Sequence, residues 1–320
     1  VSEAEAGYVN ACNDILLEQC RLDGIRSDSP GVNAGDYVSR RTPGKSASQA
    51  PAAPQKQTQE QDKAQTQDQP EEKPLPTLDE LLAQLDGLCG LDQVKKDVKS
   101  LINLVKVRKL RQQADLPVPP MSLHLVFLGN PGTGKTTVAR LLAQIYRAVG
   151  VLSKGQLVEV DRSGLVAGYV GQTALKTQEA VQKALGGVLF IDEAYALVNQ
   201  DSATDFGREA IEVLLKNMED HRDDLIVIVA GYTNLMEKFI HSNPGLESRF
   251  NKYFYFEDYT APQLLEIFQS MCNRGGYTLS TEGEDAARKL LDELYENRDE
   301  NFGNARDVRN LFEKAVTRQS

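Results

Sequence analysis

From residue 78 onward the chain alternates between two hydrophobic rhythms. Leu78, Leu81, Leu82 and Leu85 recur at helical spacing until Gly87 and Gly90 interrupt them. A second helical stripe, Val94, Val98, Leu101, Ile102, Val105 and Leu110, predicts a helix over 92–113, ended by the proline cluster at 117–120. Short runs rich in β-branched and aromatic residues then predict strands at 123–128, 157–160, 188–192, 225–230 and 253–256. Helical patterns fall between them, at 135–149, 172–185, 206–220 and 234–241. Strands that alternate with helices predict an α/β fold: a parallel five-stranded sheet with helices on both faces. Past Tyr259 only helical patterns remain, at 261–273, 282–297 and 304–318, which predicts a small all-α module.

The first quarter reads differently. Residues 3–22 fit one short helix, through Ala6, Val9, Ile15, Leu16 and Leu22. Residues 43–76 hold six of the thirteen prolines, a dense run of glutamines and almost no large apolar residue, the signature of a disordered linker. The expected organisation is a helical segment at 1–29, a linker at 30–76, an α/β nucleotide-binding domain at 77–259 and a helical lid at 260–320. The chain starts at Val1, which leaves room for a larger upstream domain.

Charge and composition remove several function classes. The formal net charge is −10. Free nucleic acid is therefore not the default partner, although the 92–113 helix carries seven basic residues, read as a solvated face plus a subunit contact. No apolar run is long enough to cross a bilayer, so no membrane insertion is expected. No secretory pattern is visible and the four cysteines form no CxxC pair, which together point to a cytoplasmic protein with reduced thiols. His124, His221 and His241 are scattered, so any metal is expected to arrive with a nucleotide.

Gly129-Asn130-Pro131-Gly132-Thr133-Gly134-Lys135-Thr136 fits G-x(4)-G-K-[ST] and sits between an apolar strand and a helix. Chance produces such a string about once in tens of thousands of positions. The glycines let backbone N–H groups wrap a phosphate chain, and the helix N-terminus adds partial positive charge. Lys135 is expected to reach the β/γ-phosphates, Thr136 to offer a hydroxyl to Mg²⁺, and Thr137 to join the nucleotide contacts. About 60 residues on, the apolar run 187–191 ends in Asp192 and Glu193. At the carboxyl edge of a parallel sheet these acids would lie beside the loop. Asp192 is expected to hold Mg²⁺, and Glu193 to polarise the attacking water. Together these residues predict hydrolysis of ATP with Mg²⁺. The DFG string at Asp205-Phe206-Gly207 lacks a catalytic loop before it, and Asp205 reads as a helix N-cap.

The strings LHLVFLGNPGTGKTTVAR, YVGQT, LFIDEAYAL, VAGY, NPGLESRF and FGNARDVRN resemble the AAA+ ATPases. The resemblance is closest to the CbxX/CfqX subfamily, which includes CbbX-type rubisco activases, the sporulation protein SpoVK and type VII secretion ATPases. It implies a homo-oligomeric ring, expected as a hexamer, that remodels a protein client. Arg249 matches the arginine finger, worth roughly 10³–10⁵ in rate in other systems; a surface arginine in an ion pair is the other reading. Arg306 matches the sensor arginine of the lid, and Cys89-Gly90-Leu91 the segment that borders the adenine, with Gly90 and Leu91 in contact. Tyr169 and Val170, between Gly168 and Gly171, match a pore loop that grips polypeptide; a tyrosine packed at a turn is the other reading. The polar sensor expected after the fourth strand is Thr233 or Asn234. Glu247, two residues before Arg249, stands where activases of this group often carry a second arginine. The rival functions are an ATP-dependent assembly switch or scaffold, and a DNA-acting ATPase.

Overall fold

The computed structural model describes residues 75–118, 121–169, 171–198, 206–299 and 302–319. The expected helix at 3–22 and most of the expected linker lie outside them, as do Val170 and Asp205. Two helices lead in, α1 (Leu78–Asp86) and α2 (Asp92–Gln113). Thr77 starts α1 with a capping box, its hydroxyl accepting from Glu80 N while Glu80 accepts from Thr77 N at 2.8 Å.

The α/β part follows in the order β1 (Leu125–Gly129), α3 (Lys135–Ala148), β2 (Leu157–Val160), α4 (Arg162–Leu165), α5 (Thr173–Ala184), β3 (Val188–Ile191), α6 (Gly207–Asp220), β4 (Ile226–Gly231), α7 (Thr233–His241), α8 (Pro244–Arg249) and β5 (Tyr253–Phe256). All four strand pairings are parallel, in the spatial order β2-β3-β4-β1-β5. The period-two alternation sorts side chains between two layers. Phe127, Phe190, Ile228 and Phe254 face a core with α1, α2 and α3, whereas Val126, Leu128, Leu189 and Val229 face one with α5, α6 and α7. At the β5 edge, Phe254 and Phe256 are buried while Tyr253 and Tyr255 are exposed. The lid consists of α9 (Ala261–Arg274), α10 (Thr281–Glu296) and α11 (Ala305–Gln319), around Leu264, Phe268, Ala287, Leu291 and Val308. Leu91 packs against both the sheet's core and the lid's.

The expected α/β sheet with a helical module is the observed fold. Three short elements, α4, α8 and a 3₁₀ turn at Ala194–Leu197, escape the sequence reading because four to six residues are too few to display a period. Strand β3 stops at Ile191, which leaves Asp192 in the turn. Helix α6 is capped by Phe206 without a side-chain hydrogen bond. Among the described residues no helix is long and apolar enough to cross a membrane.

His124, just before β1, is a buried polar residue whose Nδ1 accepts from Val227 N at 3.0 Å. Burial, helped by the charges of Arg249 and Lys252, pushes its pKa down to about 4. A chain that unfolds returns this imidazole to its ordinary value near 6.5, so the unfolded state binds the extra proton. Stability from this group is therefore complete above pH 6.5 and lost as pH falls towards 4, on the order of 3 kcal/mol in all. Urea midpoints of the parent protein should drop across that window more steeply than those of His124→Asn; parallel curves would remove His124 from the account.

Candidate nucleotide site

Because every strand runs the same way, the carboxyl ends of β1, β3 and β4 meet at one edge of the sheet. Strand β1 ends in Gly129 (φ 148), and the loop turns through Gly132 (φ 72) and Gly134 (φ 94) before α3 starts at Lys135. The positive angles at Gly132 and Gly134 favour glycine. At Gly132 a Cβ would also lie 2.8 Å from Arg306 N and press on Gly303 O, so the loop and the start of α11 abut. Thr133 is fully buried, and its hydroxyl donates to Asn130 O at 2.8 Å, which closes the loop on itself. Lys135 Nζ donates to the carbonyls of Gly129 and Asn130 at 2.8 and 2.7 Å. Burial lowers the Lys135 pKa to about 8; the nearby Asp192 carboxylate opposes the shift and Arg306 adds to it. Anionic phosphates would push it back up and hold the ammonium charged.

Asp192 and Glu193 follow β3 directly. Asp192 N is held by Val160 O at 2.8 Å, and its Oδ1 accepts from Glu193 N at 3.1 Å. Glu193 has left-handed backbone angles, φ 49 and ψ 42. Such a conformation costs a non-glycine residue about 1–3 kcal/mol, and strain of this kind concentrates at functional sites. Leu91 and Asn304 share the feature. Thr136 Oγ1 lies 3.4 Å from Glu159 Oε1 on β2, a neighbour the sequence reading did not single out.

The loop, the acids and the lid enclose a cleft of about 620 Å³. Its wall includes Gly129, Pro131, Gly132, Gly134, Lys135, Thr136, Thr137, Asp192, Glu193, Leu91 and Arg306. Gly90, Asn130 and Thr133 stand behind that wall; Asn130 turns to Asp258, at 3.0 and 3.1 Å from its two oxygens. Five cationic side chains line the cleft, Lys135, Arg140, Arg274, Arg306 and Arg309, against the carboxylates Asp192, Glu193 and Glu266. In a chain of net charge −10 this concentration selects an anionic ligand. The far end is more apolar, with Leu88, Leu91, Ile267 and Met271. Cys89 there donates to Glu266 Oε2 at 3.2 Å, and burial with that carboxylate pushes the thiol up to about 12, so it stays protonated. The sequence reading missed Arg140, Arg274 and Arg309; the spacing of Arg306 and Arg309, one turn apart, was the available signal.

Thr233 and Asn234 are exposed, and neither is on the cleft wall, where Gly231 and Tyr232 stand instead. The Tyr232 ring lies 6.2 Å from that of Tyr195, which packs so closely on Gly231 that a Cβ there would be 2.7 Å from its ring. Burial and the charge of Glu193 push the Tyr195 phenol up to about 12.

Two expected residues lie elsewhere. Arg249 ends α8, where its carbonyl accepts from Ser122 Oγ at 2.5 Å. Ser122 precedes β1 and the phosphate loop follows it, so a strand length of about 16 Å separates Arg249 from the loop. Its Nη2 lies 3.3 Å from Glu219 Oε2, and its buried Nε has no partner. Glu247 pairs with His241 Nδ1 at 2.5 Å. Tyr169 is 74% exposed, so its ring does not pack at the turn. The flanking loop is open, since a Cβ at Gly168 or Gly171 would meet nothing within 4 Å.

A parallel sheet of this order, a glycine loop leading from β1 into a helix and two acids at the end of β3 define a P-loop nucleoside triphosphatase with a helical lid. Residues 125–258 match the profile of the ATPase family associated with various cellular activities (AAA), and residues 260–320 match that of the AAA lid domain. The chain belongs to the AAA family of ATPases, and within it to the CbxX/CfqX subfamily. It is 47% identical to a protein CfxQ homolog of Galdieria sulphuraria, over 76% of this chain and 79% of that protein. Stage V sporulation protein K of Bacillus subtilis (strain 168) is 42% identical over 76% of each chain. The chloroplastic ribulose bisphosphate carboxylase/oxygenase activase of Cyanidioschyzon merolae (strain NIES-3377 / 10D) is 44% identical, over 76% of this chain and 83% of its own. The protein is accordingly an ATPase.

Proposed function

We propose that this ATPase works as a ring of identical subunits, a hexamer, that spends ATP to remodel a protein client. The carrying observation is the separation of Arg249 from the cleft of its own subunit. An arginine that cannot reach the phosphates of its own subunit suits a finger supplied to a neighbour's triphosphate, and on this reading each site needs two copies to be complete. Loop amides and Lys135 bind and orient the phosphates. The Thr136 hydroxyl and the Asp192 carboxylate are hard oxygen donors that fit Mg²⁺, and a cation bound there neutralises phosphate charge. Glu193 orients water and accepts its proton as the bond to phosphorus forms. Arg306 faces the same cleft from the lid, which supports its role in coupling nucleotide state to lid position. An exposed tyrosine on an open loop suits contact with polypeptide, with little sequence preference. One relative is named as an activase of another enzyme, which supports a protein client.

Mixing two inactive variants tests this reading. Arg249→Ala has an intact cleft, and Glu193→Gln an intact arginine. If the arginine acts across the interface, an equal mixture regains about a quarter of the parent rate, from clefts of the first variant that face arginines of the second. No recovery in rings shown to exchange subunits would place Arg249 outside the neighbouring site.

A further inference from the structure

Asn304 is polar, fully buried and left-handed, with φ 51. Its carboxamide reaches in several directions. Oδ1 accepts from Tyr259 N at 2.8 Å. Nδ2 donates to Asp258 Oδ1 at 2.7 Å and lies at longer range from Phe302 O (3.2 Å) and Pro131 O (3.4 Å). The same Asp258 accepts from Asn130 Nδ2 in the phosphate loop. Two further bonds run alongside: Ala305 N donates to Gly132 O at 3.3 Å, and the Tyr259 hydroxyl to Thr133 O at 3.2 Å. One carboxylate thus bridges the phosphate loop and the first residues of the lid helix α11, and it sits where the sheet passes into the lid.

Such a network is all-or-none in character. Asp258 is the one acceptor that both carboxamides share, so moving it loosens the loop and the helix start together, and the fully buried Asn304 is left with only its longer contacts to Phe302 O and Pro131 O. Arg306 lies two residues beyond Asn304 on the same helix start and lines the cleft. Asn304 thus anchors the stretch of backbone from which the Arg306 side chain projects.

We propose that Asn304 and Asp258 are positioning residues that bolt the lid to the phosphate loop, so that Arg306 is presented to the terminal phosphate and the lid follows the loop when that phosphate is lost. The inference rests on the reading of Arg306 and the loop given above. It makes preference for ATP over ADP, rather than affinity for nucleotide in general, the property that depends on Asn304.

The test is a double-mutant cycle on the full chain, titrated with a fluorescent, non-hydrolysable ATP analogue and with the matching ADP. Asn304→Gly keeps the left-handed backbone accessible and removes only the carboxamide. Asn130→Ala removes the other arm of the bridge. Each single variant should lower the preference for the triphosphate about tenfold, the scale of a hydrogen bond to a charged group. The double variant should be no worse than the more affected single, because both arms act through one carboxylate. Equal weakening of both nucleotides in the singles, or additive losses in the double, would overturn the proposal. Should Asn304→Gly not fold, the cycle of Asn130→Ala with Asp258→Ala reads the same coupling. A parent chain that binds neither nucleotide would overturn both this inference and the functional reading beneath it.

Discussion

Glu193→Gln is expected to bind ATP as the parent does and to lose roughly 10²–10⁴ of its turnover, the usual worth of a general base. Glutamine has the same size and the same polar reach, so the turn after β3 keeps its shape. It cannot accept a proton. The residues that grip the phosphates, Lys135 and the loop amides, are untouched, so the loss should fall on kcat with KM little changed. The left-handed backbone at Glu193 bears on this. The strain is maintained by the surrounding structure, with Asp192 N tied to β2 and the next residues wound into the 3₁₀ turn. Turnover equal to that of the parent would remove Glu193 from the chemistry.

Gly132→Ala is expected to weaken nucleotide binding at least about a hundredfold, since a strain of some 3 kcal/mol has that effect on an equilibrium. The added methyl group meets backbone rather than a movable side chain: Arg306 N at 2.8 Å and, closer still, Gly303 O. Relief requires the loop or the start of α11 to move, and both are parts of the cleft. The positive φ of 72 adds its own cost. Gly168→Ala is the matched control, because a Cβ there meets nothing within 4 Å. Equilibrium titration of both variants with labelled ATP separates the cases. Equal affinities would mean that the loop does not approach the phosphates through Gly132.

The sheet was legible because its central strands β1, β3 and β4 are buried on both faces and its strands are flanked by helices of full length. Runs such as 188–191 and 226–231 contain little that is polar, and the helices between them carry clear stripes. The chemistry at the carboxyl edge was legible for another reason. Phosphate binding by backbone needs glycines at fixed offsets, and Asp192 and Glu193 are adjacent in sequence. What stayed hidden depends on contacts between distant segments. Arg140, Arg274 and Arg309 come from three helices and converge only when the lid is in place. Asn130 belongs to the loop string but turns away from the cleft to Asp258, a partner 128 residues on. After β4 the residue on the cleft wall is Tyr232, while Thr233 and Asn234, the expected polar sensor, are exposed at the start of α7.

Calorimetric titration of the folded Glu193→Gln chain with ATP and magnesium bears most directly on the central claim, that a triphosphate lies in the cleft between the Gly129–Thr136 loop and the lid. The account requires saturable binding, with heat that disappears when Lys135→Ala is introduced as well. A folded chain that takes up no nucleotide, or one whose binding is indifferent to Lys135, would contradict it.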